Sequence, residues 1–365
     1  MTLRVGIIGC GRIVEDAHAP SLVSLSDTVE VVALADPSAE RRAAVGAVVG
    51  SAPAAFDDWQ TMLEGASLDV AVVAVPHHLH RAAIVDVARA GVDIVSEKPL
   101  ANTLDEIDEI EAAVEAAGVR LSVMHNWLWN PNMRAALALL DEGAIGDPFL
   151  VRTESIWGVP WASKDPTGNW RLNRAHSGGG IVIDAAYHPI YVSEAEMRSP
   201  VASVFATFAG RGDGIEDTAV IVLNHLDSGT TVIERSWAVR GGGAGVHEVH
   251  GSGGSLRFRQ ADPLVTNLIM AGEPPPSGAG PAGPELELFR NDDGAWQEVP
   301  VVAAPWWTGI REVFAQTFAA WSEGRAAPAG IREARHVLEV VTAVYESAAR
   351  GEVVAVPAVE RSDSR

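Results

Sequence analysis

Over the first 125 positions, short unbroken apolar runs alternate with stretches whose apolar residues recur every three or four positions. Leu3–Ile8, Val29–Ala35, Asp69–Val75, Val92–Ser96 and Arg120–Met124 read as strands. Ala17–Ser26, Ala39–Val49, Arg81–Ala90 and the acidic stretch Leu104–Ala117 read as helices. Continuous Val/Ile/Ala runs belong to strands covered on both faces, hence to a parallel sheet between helices. The alternating order predicts a doubly wound α/β domain.

The texture changes beyond residue 125. A helical stretch at Asn132–Glu142 precedes strand-like runs at Phe149–Ile156, Val201–Ala209, Thr218–Leu226, Thr230–Trp237 and Val246–Gly251. Several alternate in period two or end in Gly-Ser or Asp-Ser-Gly turns, which suits a mostly antiparallel sheet. Residues 273–284, rich in Pro and Gly, read as an exposed insertion. Trp307–Glu323 and Ile331–Arg350 read as closing helices. The expected division is a nucleotide-binding domain over 1–125 and an α+β substrate-binding and oligomerisation domain over 126–365.

Composition narrows the class. The chain has 365 residues, and at about 150 residues per domain this suits two domains. Its net charge of −21 argues against nucleic acid and anionic membranes as partners. The single cysteine, Cys10, excludes an intramolecular disulfide and reads as a packing residue. No charged-then-apolar leader and no run of about 18 apolar residues is visible, so a soluble cytoplasmic protein is expected. Of the 27 basic residues, only Lys98 and Lys164 are lysines. Lys can exchange its proton where Arg cannot, so each Lys in so Arg-rich a chain is a candidate for chemistry.

The first strand ends in Gly6-Ile-Ile-Gly9-Cys10-Gly11-Arg12-Ile13-Val14. Gly9 and Gly11 match the first two glycines of a dinucleotide fingerprint, with Val14 at the third position. Asp36 follows Gly11 by 25 residues, at the end of the second strand. A carboxylate there binds both ribose hydroxyls and repels a 2′-phosphate, which favours NAD over NADP. Arg41 and Arg42 lie close enough in sequence to cover adenine or accept that phosphate.

Glu97-Lys98-Pro99 follows the fourth strand, at the sheet edge where ligands of such folds bind. Gly178-Gly179-Gly180 leads into Asp184-Ala-Ala-Tyr-His188-Pro189. If that segment is helical, Asp184 and His188 are i,i+4 neighbours, a carboxylate beside the residue best suited to proton transfer near neutral pH. Pro189 is expected to bend the segment.

These motifs, with Pro76-x-x-x-His80 and a terminal Tyr345-Glu-Ser-Ala, resemble the Gfo/Idh/MocA oxidoreductases in kind and order, over nearly the whole chain. The resemblance implies an N-terminal Rossmann domain, a C-terminal domain with a large open sheet, and a nicotinamide cofactor in the cleft between domains. It implies Lys98, Asp184 and His188 as catalytic residues. His188 would move the hydroxyl proton, Asp184 orient it or share the relay, and Lys98 hold and polarise the oxygen. The candidate cofactor set is Gly9, Gly11, Arg12, Ile13, Asp36, Arg41, Pro76, His80, Glu97 and Lys98. The candidate substrate set is Lys98, Asn126, Trp129, Trp157, Trp170, Arg171, Asp184 and His188. The open sheet implies a homo-oligomer, a dimer or tetramer.

Two departures from the family pattern stand out. Ala186 replaces a frequent Gly, and Trp127-Leu128-Trp129-Asn130-Pro131 replaces an Arg-containing run, removing support for a phosphorylated or acidic substrate. Five of the eleven Trp fall between residues 127 and 170, where aromatic faces can pack on a sugar ring or fill a core. No metal is expected: His77, His78 and His80 belong to a loop, and His247 and His250 alternate across a strand. The expected activity is NAD-dependent hydride transfer at a hydroxyl or keto carbon of a sugar, inositol or related polyol. The alternatives are a non-catalytic dinucleotide sensor on the same fold, or bound NAD used for transient oxidation in glycoside cleavage or elimination.

Overall fold

The computed structural model describes residues 2–156, 169–210, 215–227, 229–239, 245–259 and 285–358. The expected insertion at 273–284, Trp157, Trp161 and Lys164 lie outside the described residues. The chain divides into two compact units: Met1–Asn130 with Pro305–Arg335, and Pro131–Ala304 with His336–Arg365. Instead of a single boundary after residue 125, the chain therefore crosses between units three times.

The first unit is built on six parallel strands: β1 (Leu3–Ile8), β2 (Val29–Ala35), β3 (Ala54–Phe56), β4 (Val70–Val73), β5 (Asp93–Ser96) and β6 (Leu121–Val123), in the order β3-β2-β1-β4-β5-β6. This is the doubly wound dinucleotide-binding order. All four residues of β4 are buried, as expected for a strand sandwiched between helices. Helix Ala39–Val49 begins where Ser38 Oγ accepts from Arg41 N and ends at Gly50 in the left-handed region. The sequence reading passes over β3 and helix Trp59–Gly65, although Asp58 caps that helix by accepting from Thr61 N at 2.7 Å.

Residues 305–335 join this unit because their apolar face has its partners there. Helix Thr308–Ser322 buries Ile310, Val313, Phe314, Phe318 and Trp321 in one core cluster with Val14, Ala17, Val72, Val95 and Met124. Ser122 Oγ meets Thr317 Oγ1 at 2.9 Å, and Arg120 donates to the Trp321 carbonyl at 2.8 Å.

The second unit contains a nine-stranded sheet among the described residues. To β7 (Pro148–Ile156), β8 (Val201–Gly210), β9 (Glu216–His225), β10 (Thr230–Ser236) and β11 (Val246–Gly251) it adds four strands that the sequence reading leaves unassigned. These are β12 (Gly254–Arg259), β13 (Glu285–Arg290), β14 (Trp296–Val299) and β15 (Val354–Ala355). The order is β14-β13-β12-β11-β7-β10-β9-β8-β15, with only β7 and β10 parallel.

One face of this sheet is covered. Val151, Ile221, Leu223, Ile233, Val249 and Leu256 are fully buried, and helix Tyr187–Met197 contributes Tyr187, Ile190 and Val192 to the same core. The alternating burial of β9 and β11 shows that the other face is open. His247 is buried and donates Nε2–H to Glu196 Oε1 at 2.6 Å, while His250 lies on the opposite face, as the alternation requires.

Candidate active site

The turn after β1 is shaped for backbone approach. Gly9 has φ +92°, and a Cβ there would overlap the Ala74 carbonyl oxygen, so only glycine fits. A Cβ on Gly11 would meet nothing within 4 Å. The bare backbone at Gly11 therefore answers no packing demand of the protein and leaves open space at the head of the following helical segment. Val14, at the third fingerprint position, is fully buried in the core. Ile13 packs against that core, and Arg12 pairs with Asp16 at 2.9 Å.

The segment after the glycines opens as a π turn, Val14–His18, before helix Ala19–Val23. Ala19 N donates to Val14 O. Pro20 has no N–H for the Asp16 carbonyl, so the wider turn replaces a helical bond that the sequence cannot make. The helix predicted over 17–26 is accordingly shorter.

Asp36 ends β2 with its carboxylate drawn to this turn. Oδ2 accepts from Cys10 N and Oδ1 from Ser38 N, both at 2.8 Å. Arg42 contacts the Asp36 carbonyl and pairs with Asp57 at 2.7 Å. Arg41 is half exposed and reaches Glu15 at 3.4 Å. Cys10 is fully buried, and burial with the nearby Asp36 charge pushes its thiol up to about 12.

The loop carrying Lys98 is held from two sides. Glu97 N donates to Val73 O, and the Glu97 carboxylate bridges: Oε1 meets His18 Nε2 at 2.7 Å, and Oε2 accepts from Lys98 N at 3.0 Å. Burial alone would raise the Glu97 carboxyl, but the His18 hydrogen bond and charge, with those of Lys98, hold it below the usual carboxylate range. On the other side, His80 Nδ1 lies 2.8 Å from Pro99 O and Nε2 lies 2.9 Å from Val75 O. Its ring is 1% exposed, and burial depresses its pKa despite both carbonyls. His80, expected to meet the cofactor, is instead committed to backbone beneath the loop. Pro76 caps helix His77–Arg89 at the same sheet edge, and the Lys98–Pro99 peptide is cis.

Asn126 and Trp129 lie in a short 3-10 turn of the first unit. Their surroundings are structural. Trp129 packs with Trp307 against the core, and a Cβ on Gly309 would overlap Asn130 Oδ1 and crowd the Asn126 carbonyl. Trp129 is partly buried against that core.

The second unit carries Trp170, Arg171, Asp184 and His188. Trp170–Leu172 is a 3-10 turn in which the Arg171 guanidinium lies over the Trp170 ring, 4.4 Å from its centroid. Arg171 Nε donates to Asp184 Oδ2 at 3.2 Å. The residue expected to bind substrate hydroxyls thus holds the carboxylate expected to serve His188.

Asp184 lies in a second π turn, Val182–Ala186, that runs directly into helix Tyr187–Met197. Pro189 has no N–H for the Ala185 carbonyl, so here too the wider π turn takes the place of a helical bond that the sequence cannot make. His188 Nδ1 lies 2.8 Å from the Tyr191 hydroxyl.

The glycine turn ahead of Asp184 is fixed from beneath. Glu216 Oε1 accepts from Gly180 N at 2.8 Å, Val182 N at 3.1 Å and Tyr345 Oη at 2.7 Å. Any Cβ on Gly179 would overlap the Tyr345 hydroxyl, and one on Gly180 the Glu216 carbonyl. His18, Tyr191 and Glu216 are absent from the sequence-derived sets. Tyr191 was legible in principle, three residues after His188 on a helix. His18 and Glu216 join their partners across 79 and 129 positions, with no local signal.

Comparison with known proteins now identifies the frame. The Gfo/Idh/MocA oxidoreductase profile, an NAD-binding Rossmann fold, matches residues 3–125, and the family's C-terminal domain matches residues 133–257. A D-apiose dehydrogenase of Paraburkholderia graminis is 31% identical over 241 residues, 64% of this chain and 60% of that protein. A myo-inositol 2-dehydrogenase of Thermotoga maritima is 27% identical over 240 residues, 64% of this chain and 68% of that protein. The solved structure of a levoglucosan dehydrogenase with NADH and levoglucosan shares the fold at a TM-score of 0.80 and 21% identity, over 98% of this chain and 100% of that one. By both of its domains, the chain belongs to the Gfo/Idh/MocA family of NAD-binding oxidoreductases.

Proposed function

We propose that this protein is an NAD-dependent dehydrogenase or reductase acting on a CH–OH carbon of a sugar, inositol or related polyol. The observation that carries the reading is the hydrogen bond between His188 and Tyr191, next to an Asp184 held by Arg171. With Tyr191 accepting from Nδ1–H, Nε2 keeps a lone pair aimed away from that bond. Nε2 then takes the proton of the reacting hydroxyl, and the Tyr191 bond is unchanged as the ring becomes charged. Asp184 steadies that charge, and Lys98 polarises the oxygen from its own loop.

The first unit fits a dinucleotide. Gly9 and Gly11 would let the pyrophosphate approach the backbone, and Asp36 would take the ribose hydroxyls, which favours NAD over NADP. The nicotinamide, when bound, accepts or returns the hydride. Pro76, Glu97 and Lys98 would line its end, with Arg12, Ile13 and Arg41 about the phosphates and adenine. The names of the curated relatives, D-apiose and myo-inositol dehydrogenases, support a neutral polyol as substrate. The test is NAD reduction, read at the nicotinamide absorbance band, across inositols, aldoses, uronates and glycosides. Lack of NAD affinity in the purified protein sinks the reading, as does full activity in His188→Ala.

The open face of the second unit supports a homo-oligomer, a dimer or tetramer. Register aligns Phe205, Val222, Val232, Arg152, Glu248, Arg257 and Glu287 in one row across seven strands. Its apolar half and its charge ladder, with Arg257–Glu287 at 2.9 Å, suit a second copy of the same face turned by a two-fold axis. Native mass measurement tests it. Phe205→Asp should lower the mass, and a monomeric parent overturns the assembly.

A further inference from the structure

We infer that His18 is a positioning residue for Lys98, acting through the carboxylate of Glu97. The proposal rests on the reading of Lys98 as the residue that polarises the substrate oxygen. Its geometry lies wholly within the first unit.

His18 is 0% exposed and ends the π turn that follows Gly9-Cys10-Gly11. Its Nε2–H donates to Glu97 Oε1 at 2.7 Å, and the other oxygen of the same carboxylate accepts from the Lys98 amide at 3.0 Å. Its ring stands edge-on to Phe314, with centroids 5.5 Å apart. The ring is thus walled in by packing and has one hydrogen-bonding task among the described residues, since Nδ1 has no partner.

The Glu97 carboxylate, adjacent in sequence to Lys98, has His18 as a side-chain partner. His18 draws it inward. Glu97 then supports the Lys98 main chain through its second oxygen. The same contact ties the Lys98 loop to the segment that starts at the two glycines, so both halves of the nucleotide edge share one anchor. Charge-assisted hydrogen bonds of this kind are the strong ones and fix geometry as well as energy.

The chain's composition makes a direct test possible. With only Lys98 and Lys164 as lysines, reductive methylation with ¹³C-formaldehyde gives two dimethyl-lysine signals plus that of the N-terminus, and Lys98→Arg assigns them. The readout needs neither substrate nor turnover. A parent protein that reduces no NAD with any polyol would therefore defeat the proposed function without deciding this inference.

In His18→Leu, the Lys98 signal should move away from its parent position. His18→Gln, which restores an N–H at the same reach, should hold it near the parent position. In turnover, His18→Leu should lose about 100-fold in kcat with NAD affinity within about threefold of the parent. Gln should recover most of the loss. An unmoved Lys98 signal in a folded His18→Leu protein overturns the inference. Equal displacement in Leu and Gln overturns it too, because shape and not the hydrogen bond would then be the cause. Should His18→Leu fail to fold, Glu97→Gln removes the bridging carboxylate. It should displace the Lys98 signal to the same degree, and an unmoved signal there is equally fatal.

Discussion

Tyr345, near the end of the last helix, donates its hydroxyl to Glu216 Oε1 at 2.7 Å, and the same oxygen accepts from the Gly180 and Val182 amides. The contact ties the C-terminal helix to the turn that sets Asp184. Tyr345→Phe leaves the two amide bonds in place and removes the third, at a cost of about 1–2 kcal/mol. The expected result is a lower melting temperature and a roughly tenfold lower kcat, with NAD affinity unchanged. Calorimetry, steady-state kinetics and titration with NAD measure the three.

Gly180→Ala should be more damaging than Gly179→Ala. At Gly180 the added methyl meets main chain, the Glu216 carbonyl, which cannot yield without moving β9. At Gly179 it meets a side-chain tip, the Tyr345 hydroxyl, which can shift. Overpacking of this kind costs about 1–3 kcal/mol, more where backbone must move. Comparing the two variants by thermal melting and by polyol-dependent NAD reduction checks the order.

Asp36 sets both the turn and the proposed cofactor preference. Asp36→Ser removes the acceptor of Cys10 N and the charge that would exclude a 2′-phosphate. We expect NAD affinity to fall about tenfold or more, a loss of roughly 1.4 kcal/mol or above, and the NADP to NAD ratio of kcat/KM to rise. An unchanged ratio would show that Asp36 does not govern the choice.

Cys10 should be inert in the native protein. It is fully buried, and a thiol pushed up to about 12 is ionised to only about one part in 10⁴ at pH 8. Iodoacetamide should add nothing to the folded chain and one group to the unfolded chain, read by intact mass.

His336 should make stability depend on pH. Burial lowers its pKa, but Glu194 at 2.6 Å and Glu339 at 3.6 Å more than offset that and raise it above the ordinary value. A raised histidine stabilises most below its unfolded pKa of about 6.5, and the contribution fades as pH rises through the higher native value. His336→Asn should therefore cost more at about pH 6 than at about pH 9, measured as the difference in melting temperature from the parent.

Local pattern alone determined much of this protein. The apolar runs of β1, β2, β4, β5 and β6 and the helices between them are visible because strands buried on both faces must be apolar at every position. Gly9, Gly11 and Asp36 are legible because a close backbone approach and a carboxylate at a strand end leave residue-type signatures. Tertiary structure decided the rest. Residues 305–335 return to the first unit because Phe314, Phe318 and Trp321 find their buried partners there, a choice that periodicity cannot encode. The helix expected at Asn132–Glu142 is present as Pro131–Asp141, but β13 escapes the local pattern although Glu-Leu-Glu-Leu-Phe-Arg alternates. So short a strand gains its identity from the neighbours it pairs with, here β12 and β14. The bonds His18–Glu97 and Tyr345–Glu216 span 79 and 129 positions. A sequence states which side chains can donate or accept, but only the folded chain brings a buried donor within 3 Å of its acceptor, and burial is what gives such a bond its weight.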